Sequence, residues 1–102
     1  MTHPNKRKGN SYETRFLKRM KKQGATKILR HPLSLGKTDV EWTDAEGYKH
    51  EAQLKFSSVK PYIGPKESQL LYDYAQEKKK EGILVWLIMK AAYKPEVWKR
   101  LN

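Results

Sequence analysis

Residues Ile83 to Met89, ILVWLIM, form an unbroken apolar run. A run of that length is strand-sized and too short to cross a bilayer. It is the pattern of a strand covered on both faces, where no alternate position needs to meet water. A second segment, Tyr48 to Phe56, alternates cleanly. Tyr48, His50, Ala52, Leu54 and Phe56 take one side, and Lys49, Glu51, Gln53 and Lys55 the other. A buried strand and an alternating one in so short a chain call for a sheet whose faces are covered by helices.

The remaining elements follow from periodicity and punctuation. Asn10 or Ser11 is the expected cap of a first helix. Tyr12, Phe16, Leu17 and Met20 recur at helical spacing through Lys22, and Gly24 stops it. Ala25–Arg30 reads as a short strand and Pro32–Gly36 as a loop. Thr38–Thr43 pairs with Tyr48–Phe56 as a hairpin about the turn Asp44–Gly47. Pro65 opens a second helix whose apolar face is Leu70, Leu71, Tyr74 and Ala75, ending near Gly82. Pro95–Leu101 reads as a short final helix. The expected class is α/β, in the order αβββαβ with a mixed central sheet. Residues 1–9 are expected to be a flexible basic arm, and residues 10–102 a single domain.

Charge narrows the partners. The chain carries 22 Lys and Arg against 11 Asp and Glu, a net +11. The excess is concentrated: residues 1–30 hold ten basic residues against one acid, Glu13. A basic end on a nearly balanced body favours a polyanion, nucleic acid first. The candidate phosphate-binding residues are Lys6, Arg7, Lys8, Arg15, Lys18, Arg19 and Lys22, with Ser68 and Gln69 at the start of the second helix. The absence of cysteine rules out disulfides and thiolate-bound zinc. No apolar segment follows the basic N-terminus, so a signal peptide is not expected, nor a membrane. The expectation is a cytoplasmic protein, cellular or phage-encoded.

Chemistry concentrates on the hairpin. Asp39, Glu41, Glu51, Gln53 and Lys55 line its polar positions. Hydrolysis of a phosphodiester with Mg²⁺ uses hard oxygen ligands, and a nearby cation to hold water or phosphate. Gln53 and Lys55, two apart, share one face about 6.5 Å apart while Leu54 anchors the strand. His31 and His50 show no metal-ligand spacing. Trp42, Trp86 and Trp98 suit a core or an interface better than a base-stacking platform.

A lone acid followed about a dozen residues later by acid-x-lysine resembles the signature of the PD-(D/E)XK nucleases. Here it reads Thr38-Asp39, then Gln53-Leu54-Lys55. Lys8-Gly9-Asn10-Ser11-Tyr12-Glu13, with Leu17 and Gly24, is similar to the opening of archaeal-type Holliday junction resolvases, in which a helix-borne glutamate completes the metal site. The resemblance spans nearly the whole chain and implies a restriction-endonuclease-like core. It implies a catalytic set of Asp39, Gln53, Lys55 and Glu13, with Mg²⁺ (Mn²⁺ substituting) held by Asp39, Gln53 and Glu13. Two departures stand out. Asp39 follows threonine instead of proline. Gln53 replaces an acid, a form that resembles Mrr-type nucleases, and Glu51 is then a candidate for the missing charge. The implied activity is a homodimeric endonuclease resolving four-way DNA junctions. The alternatives are a small nuclease on linear or flap DNA, and an inactive nucleic-acid-binding module of the same fold.

Overall fold

A computed structural model describes residues 4–31 and 38–102, with side chains from Ser11 onward. Its elements run α1 (Pro4–Lys22), β1 (Thr26–Arg30), β2 (Val40–Thr43), β3 (Lys49–Ser57), α2 (Pro65–Lys79), β4 (Ile83–Ala91) and β5 (Val97–Arg100). The strands form one sheet in the order β1-β2-β3-β4-β5. β1–β2, β2–β3 and β4–β5 are antiparallel, and β3–β4 is parallel. A parallel pair cannot be closed by a tight turn. α2 makes the crossover, which leaves β3 and β4 at the centre of the sheet, paired from Lys49↔Ile83 to Ser57↔Ala91.

The turn between β2 and β3 is built by Asp44, whose Oδ1 accepts the amides of Glu46 and Tyr48 at 2.9 Å each. α1 ends where expected: Gly24 takes φ +95°, and a Cβ there would stand 3.0 Å from Ala45 Cβ. A side chain would thus meet both backbone strain and the β2–β3 turn.

Each face of the sheet carries one helix. Against α1 pack Tyr12, Phe16 and Met20 of the helix with Val40, Trp42, Ala52, Leu54 and Ile88 of the strands. Against α2 pack Leu71 and Ala75 with Val85 and Leu87. β4 therefore buries both of its faces, as the run Ile83–Met89 requires. The alternation of β3 sends Ala52 and Leu54 to α1, and Glu51 and Gln53 toward α2, where both are 3% exposed.

Several expectations are corrected. Pro95–Leu101 is not a helix: Val97–Arg100 pairs with β4, Trp98 opposite Ile88. The open edge of β4 offers backbone partners that outweigh the weak helical pattern of so short a segment. α1 begins at Pro4, not after a cap at Asn10 or Ser11, so its backbone runs through part of the expected arm. Proline is well suited to a first helical position. Leu70, assigned to the inner face of α2, is 59% exposed; Leu71 and Ala75 are inside. The expected loop Pro32–Gly36 lies outside the described residues. No helix among the described residues is long and apolar enough to cross a membrane.

Candidate metal and nucleic-acid site

The site forms where β2 leaves β3. Asp39 immediately precedes β2, and its amide still bonds Ala52 O at 2.8 Å. One step further on, the backbone ladder gives way to a side chain: the amide of Leu54 donates to Asp39 Oδ2 at 2.8 Å. The Asp39 carboxylate therefore sits at the fork, beside the strand that carries Gln53 and Lys55. Glu13 reaches the same region from α1. Its carboxyl is pushed above the usual carboxylate range, first by burial and then by the negative charge of Asp39, with Arg30 opposing. Arg30 Nε lies 3.5 Å from Glu13 Oε2, and Arg30 Nη2 donates to Thr14 Oγ1 at 2.7 Å.

On the face toward α2, Gln53 Nε2 donates to Glu67 Oε1 at 2.9 Å, and Lys55 Nζ lies 2.5 Å from the same oxygen. The Gln53 amide is thereby oriented, since its oxygen turned toward Glu67 would face another acceptor. Its Oε1 is buried without a hydrogen-bond partner. A buried carbonyl oxygen left unpaired costs about 1–3 kcal/mol and calls for an explanation.

Glu51, the candidate for the missing charge, is otherwise engaged. Its Oε1 accepts hydroxyl hydrogen bonds from Thr38 and Tyr74, both at 2.6 Å. Its Oε2 is 3.8 Å from Lys78 Nζ. Burial and the Glu51 carboxylate together raise the Tyr74 hydroxyl pKa and keep it a donor. Beyond Thr38, His31 Nδ1 contacts Thr38 O at 3.1 Å and Nε2 meets Glu41 at 2.9 Å. Burial opposes protonation of His31, but the Glu41 and Thr38 hydrogen bonds outweigh it and its pKa is raised.

These groups can be tested against a divalent ion. Among the described residues no three His, Cys, Asp or Glu side chains form a metal-binding group. The set here is two mutually repelling carboxylates, Asp39 and Glu13, with an amide oxygen that lacks a partner. Mg²⁺ takes one or two carboxylates and fills the rest of its shell with water and phosphate oxygen. By ligand chemistry alone, these donors suit that demand.

The basic residues divide. Lys18 lines an open groove of about 620 Å³ between α1 and β1, with Lys21, Lys27 and Arg30 at its rim and Leu17 and Ile28 inside. Arg30, which lines this groove, also touches Glu13. Arg19 Nη2 donates to both carboxylate oxygens of Glu96, at 2.7 and 2.8 Å. Arg15 borders a second hollow with Lys90 and Lys94, and Lys22 is exposed. The side chains of Lys6, Arg7 and Lys8 lie outside the described residues. Ser68 and Gln69 are exposed on α2, and Gln69 Nε2 bonds Asp73 at 2.9 Å. They stand apart from the contacts of Gln53 and Lys55, which fall to Glu67. The sequence reading passed over Glu67 because an acid in the first turn of a helix is commonplace. The available signal was its spacing: Glu67 lies one turn before Leu71, the buried residue of the inner face.

The architecture has a known counterpart. The Holliday junction resolvase Hjc from Archaeoglobus fulgidus superposes with a TM-score of 0.69 at 14% identity, over 89% of this chain and 74% of that one. The fold is restriction-endonuclease-like. The match bears out the expected class and the mixed sheet, and gives no support to the likeness with Mrr-type nucleases. No family model matches the sequence, and no curated protein matches it.

Proposed function

We propose that this chain is a divalent-metal-dependent endonuclease that cuts branched DNA, with the four-way junction as substrate, acting as a homodimer. The observation that carries the reading is the fork at Asp39. One carboxylate closes the Leu54 amide beside the strand bearing Gln53 and Lys55, while α1 brings Glu13 into its field. The restriction-endonuclease-like fold, shared with a junction resolvase, supports the same conclusion.

Asp39, Glu13 and Gln53 Oε1 are the groups that would hold the ion. When bound, it would supply positive charge against the phosphate and make water a better nucleophile. Lys55 donates to a non-bridging phosphate oxygen or to the attacking water, and stabilises the charge that builds as phosphorus becomes five-coordinate. Water oxygen bonds to phosphorus, the bond to the leaving ester oxygen breaks, and a proton is returned to that oxygen. The groove rimmed by Lys18, Lys21, Lys27 and Arg30 carries the backbone toward the acids. A junction needs two symmetric cuts, which a two-fold dimer supplies. Trp98, partly exposed beside Trp86, supports an apolar contact between copies.

A labelled four-way junction and a matched linear duplex, each with Mg²⁺, Mn²⁺ or EDTA, test the reading. Metal-dependent cleavage of the junction is expected from the parent chain, and none from Asp39→Asn. Equal cutting of linear duplex by a monomer on light scattering rejects junction resolution and leaves a general nuclease. Tight DNA binding with no cleavage in either metal favours the inactive module, to which the neutral Gln53 lends specific support.

A further inference from the structure

We infer that Glu67 supplies, from α2, the carboxylate that the Gln53-x-Lys55 strand lacks, serving as a ligand of the metal site; the inference rests on the nuclease reading above. A glutamate in the first turn of a helix needs no function, because the helix dipole favours it there. Helix stability does not, however, require it to reach two groups on β3. Glu67 Oε1 takes both the Gln53 amide hydrogen at 2.9 Å and the Lys55 ammonium at 2.5 Å. The residue is held in place: Leu71 and Ala75, one and two turns later, are buried against β4, and Ser68 N closes on Gly64 O at 2.8 Å.

The same contact explains the amide. A carboxylate at position 53 would stand against Glu67 with no hydrogen to share between them. Glutamine donates to Glu67 and leaves its other end, the unpaired buried Oε1, for a cation. The strand thus contributes a neutral oxygen and a hydrogen bond that orients the acid, while the helix contributes the charge. Glu51 is less suited to that role, because it is buried at 3% exposure and its Oε1 serves the Thr38 and Tyr74 hydroxyls, neither of them a group assigned to the metal.

The test is Mn²⁺ titration by calorimetry, without DNA, on the parent chain, Asp39→Asn, Glu67→Gln and the double variant Gln53→Glu/Glu67→Gln. Circular dichroism melts verify folding, and Glu67→Ala is a second single variant. Loss of this carboxylate is expected to weaken Mn²⁺ about tenfold or more. Moving the charge back to the strand in the double variant is expected to restore most of the affinity. Parent-like binding by folded Glu67→Gln and Glu67→Ala, with Asp39→Asn impaired, overturns the inference and leaves the nuclease reading intact. A double variant no better than Glu67→Gln also overturns it. If the parent binds no Mn²⁺, or Asp39→Asn binds it unchanged, the metal site itself is refuted and Glu67 falls with it.

Discussion

The two faces of the sheet are built on opposite principles. Toward α1 the contacts are aromatic: Phe16 meets Trp42 edge-on at 5.4 Å, Trp42 stacks on His50 at 5.1 Å, and Trp98 closes on Trp86 at 5.3 Å. Polar groups on this side are paired. His50 Nδ1 accepts the Trp86 indole hydrogen at 3.0 Å, and its Nε2 meets Asp44 at 2.7 Å. Toward α2 a short aliphatic cluster gives way to Thr38, Glu51 and Gln53, all buried. The first face holds the fold. The second gives up apolar area to keep a line of oxygen and nitrogen atoms in fixed positions, and one of those atoms remains unpaired. On the proposed function, their difference separates residues whose loss would unfold the chain from residues whose loss would silence it.

The strongest challenge to that division is Phe16→Ala, which should cost about 3–5 kcal/mol in urea unfolding. A loss under 1 kcal/mol would show that α1 is not the keystone of the fold. Glu51→Ala comes next. It removes the acceptor shared by the Thr38 and Tyr74 hydroxyls and one of the two carboxylates beside the Lys78 ammonium, and should cost about 1–3 kcal/mol. Mn²⁺ affinity in the folded fraction should be nearly unchanged; a collapse of affinity at unaltered stability would return Glu51 to the metal site. Glu96→Gln should cost about 1–2 kcal/mol at neutral pH. Burial pushes the Glu96 carboxyl up, but hydrogen bonds from Arg19, Tyr12 and Trp98 prevail and hold it below the usual range. A depressed folded pKa gives stability that is full above the unfolded value and is lost as pH falls through the folded one. The gap between parent and variant should therefore close on acidification, and a gap independent of pH would assign Glu96 a packing role only. The smallest effect is Gln53→Leu, within about 1 kcal/mol of the parent, because the desolvated Oε1 is not repaid by any partner. A large stability loss there would place Gln53 with the structural residues.

Much of this was legible in the residues. Alternation through Tyr48–Phe56 put Ala52 and Leu54 opposite Glu51 and Gln53, and an unbroken apolar run identified a strand with no wet face. The nearness of Asp39 to the strand of Gln53 and Lys55 was legible, because two of them share one strand and the third flanks its neighbour. β5 was not, because Val97–Arg100 is exposed at every position and carries no two-residue pattern. Its conformation is imposed by the edge of β4. Glu67 was hidden for a related reason: its partners lie across the fold, and locally it is an ordinary helix-start acid. The structural commitments of Glu51 to Tyr74 and of Arg19 to Glu96 span 23 and 77 residues, beyond the reach of any local pattern.

α1 carries Phe16 and Glu13 within one turn of each other, so the helix that completes the aromatic core also delivers an acid to the fork. Assembly of the core and assembly of the donor set are then a single thermodynamic event. An unfolded chain offers a cation only scattered acids, and by mass action any ion selective for the assembled site must favour the folded state. At one hundred times its dissociation constant the ion would contribute about 2.7 kcal/mol. On the proposed metal site, the melting temperature of this chain would become a gauge of metal occupancy, readable without any nucleic acid in the cuvette.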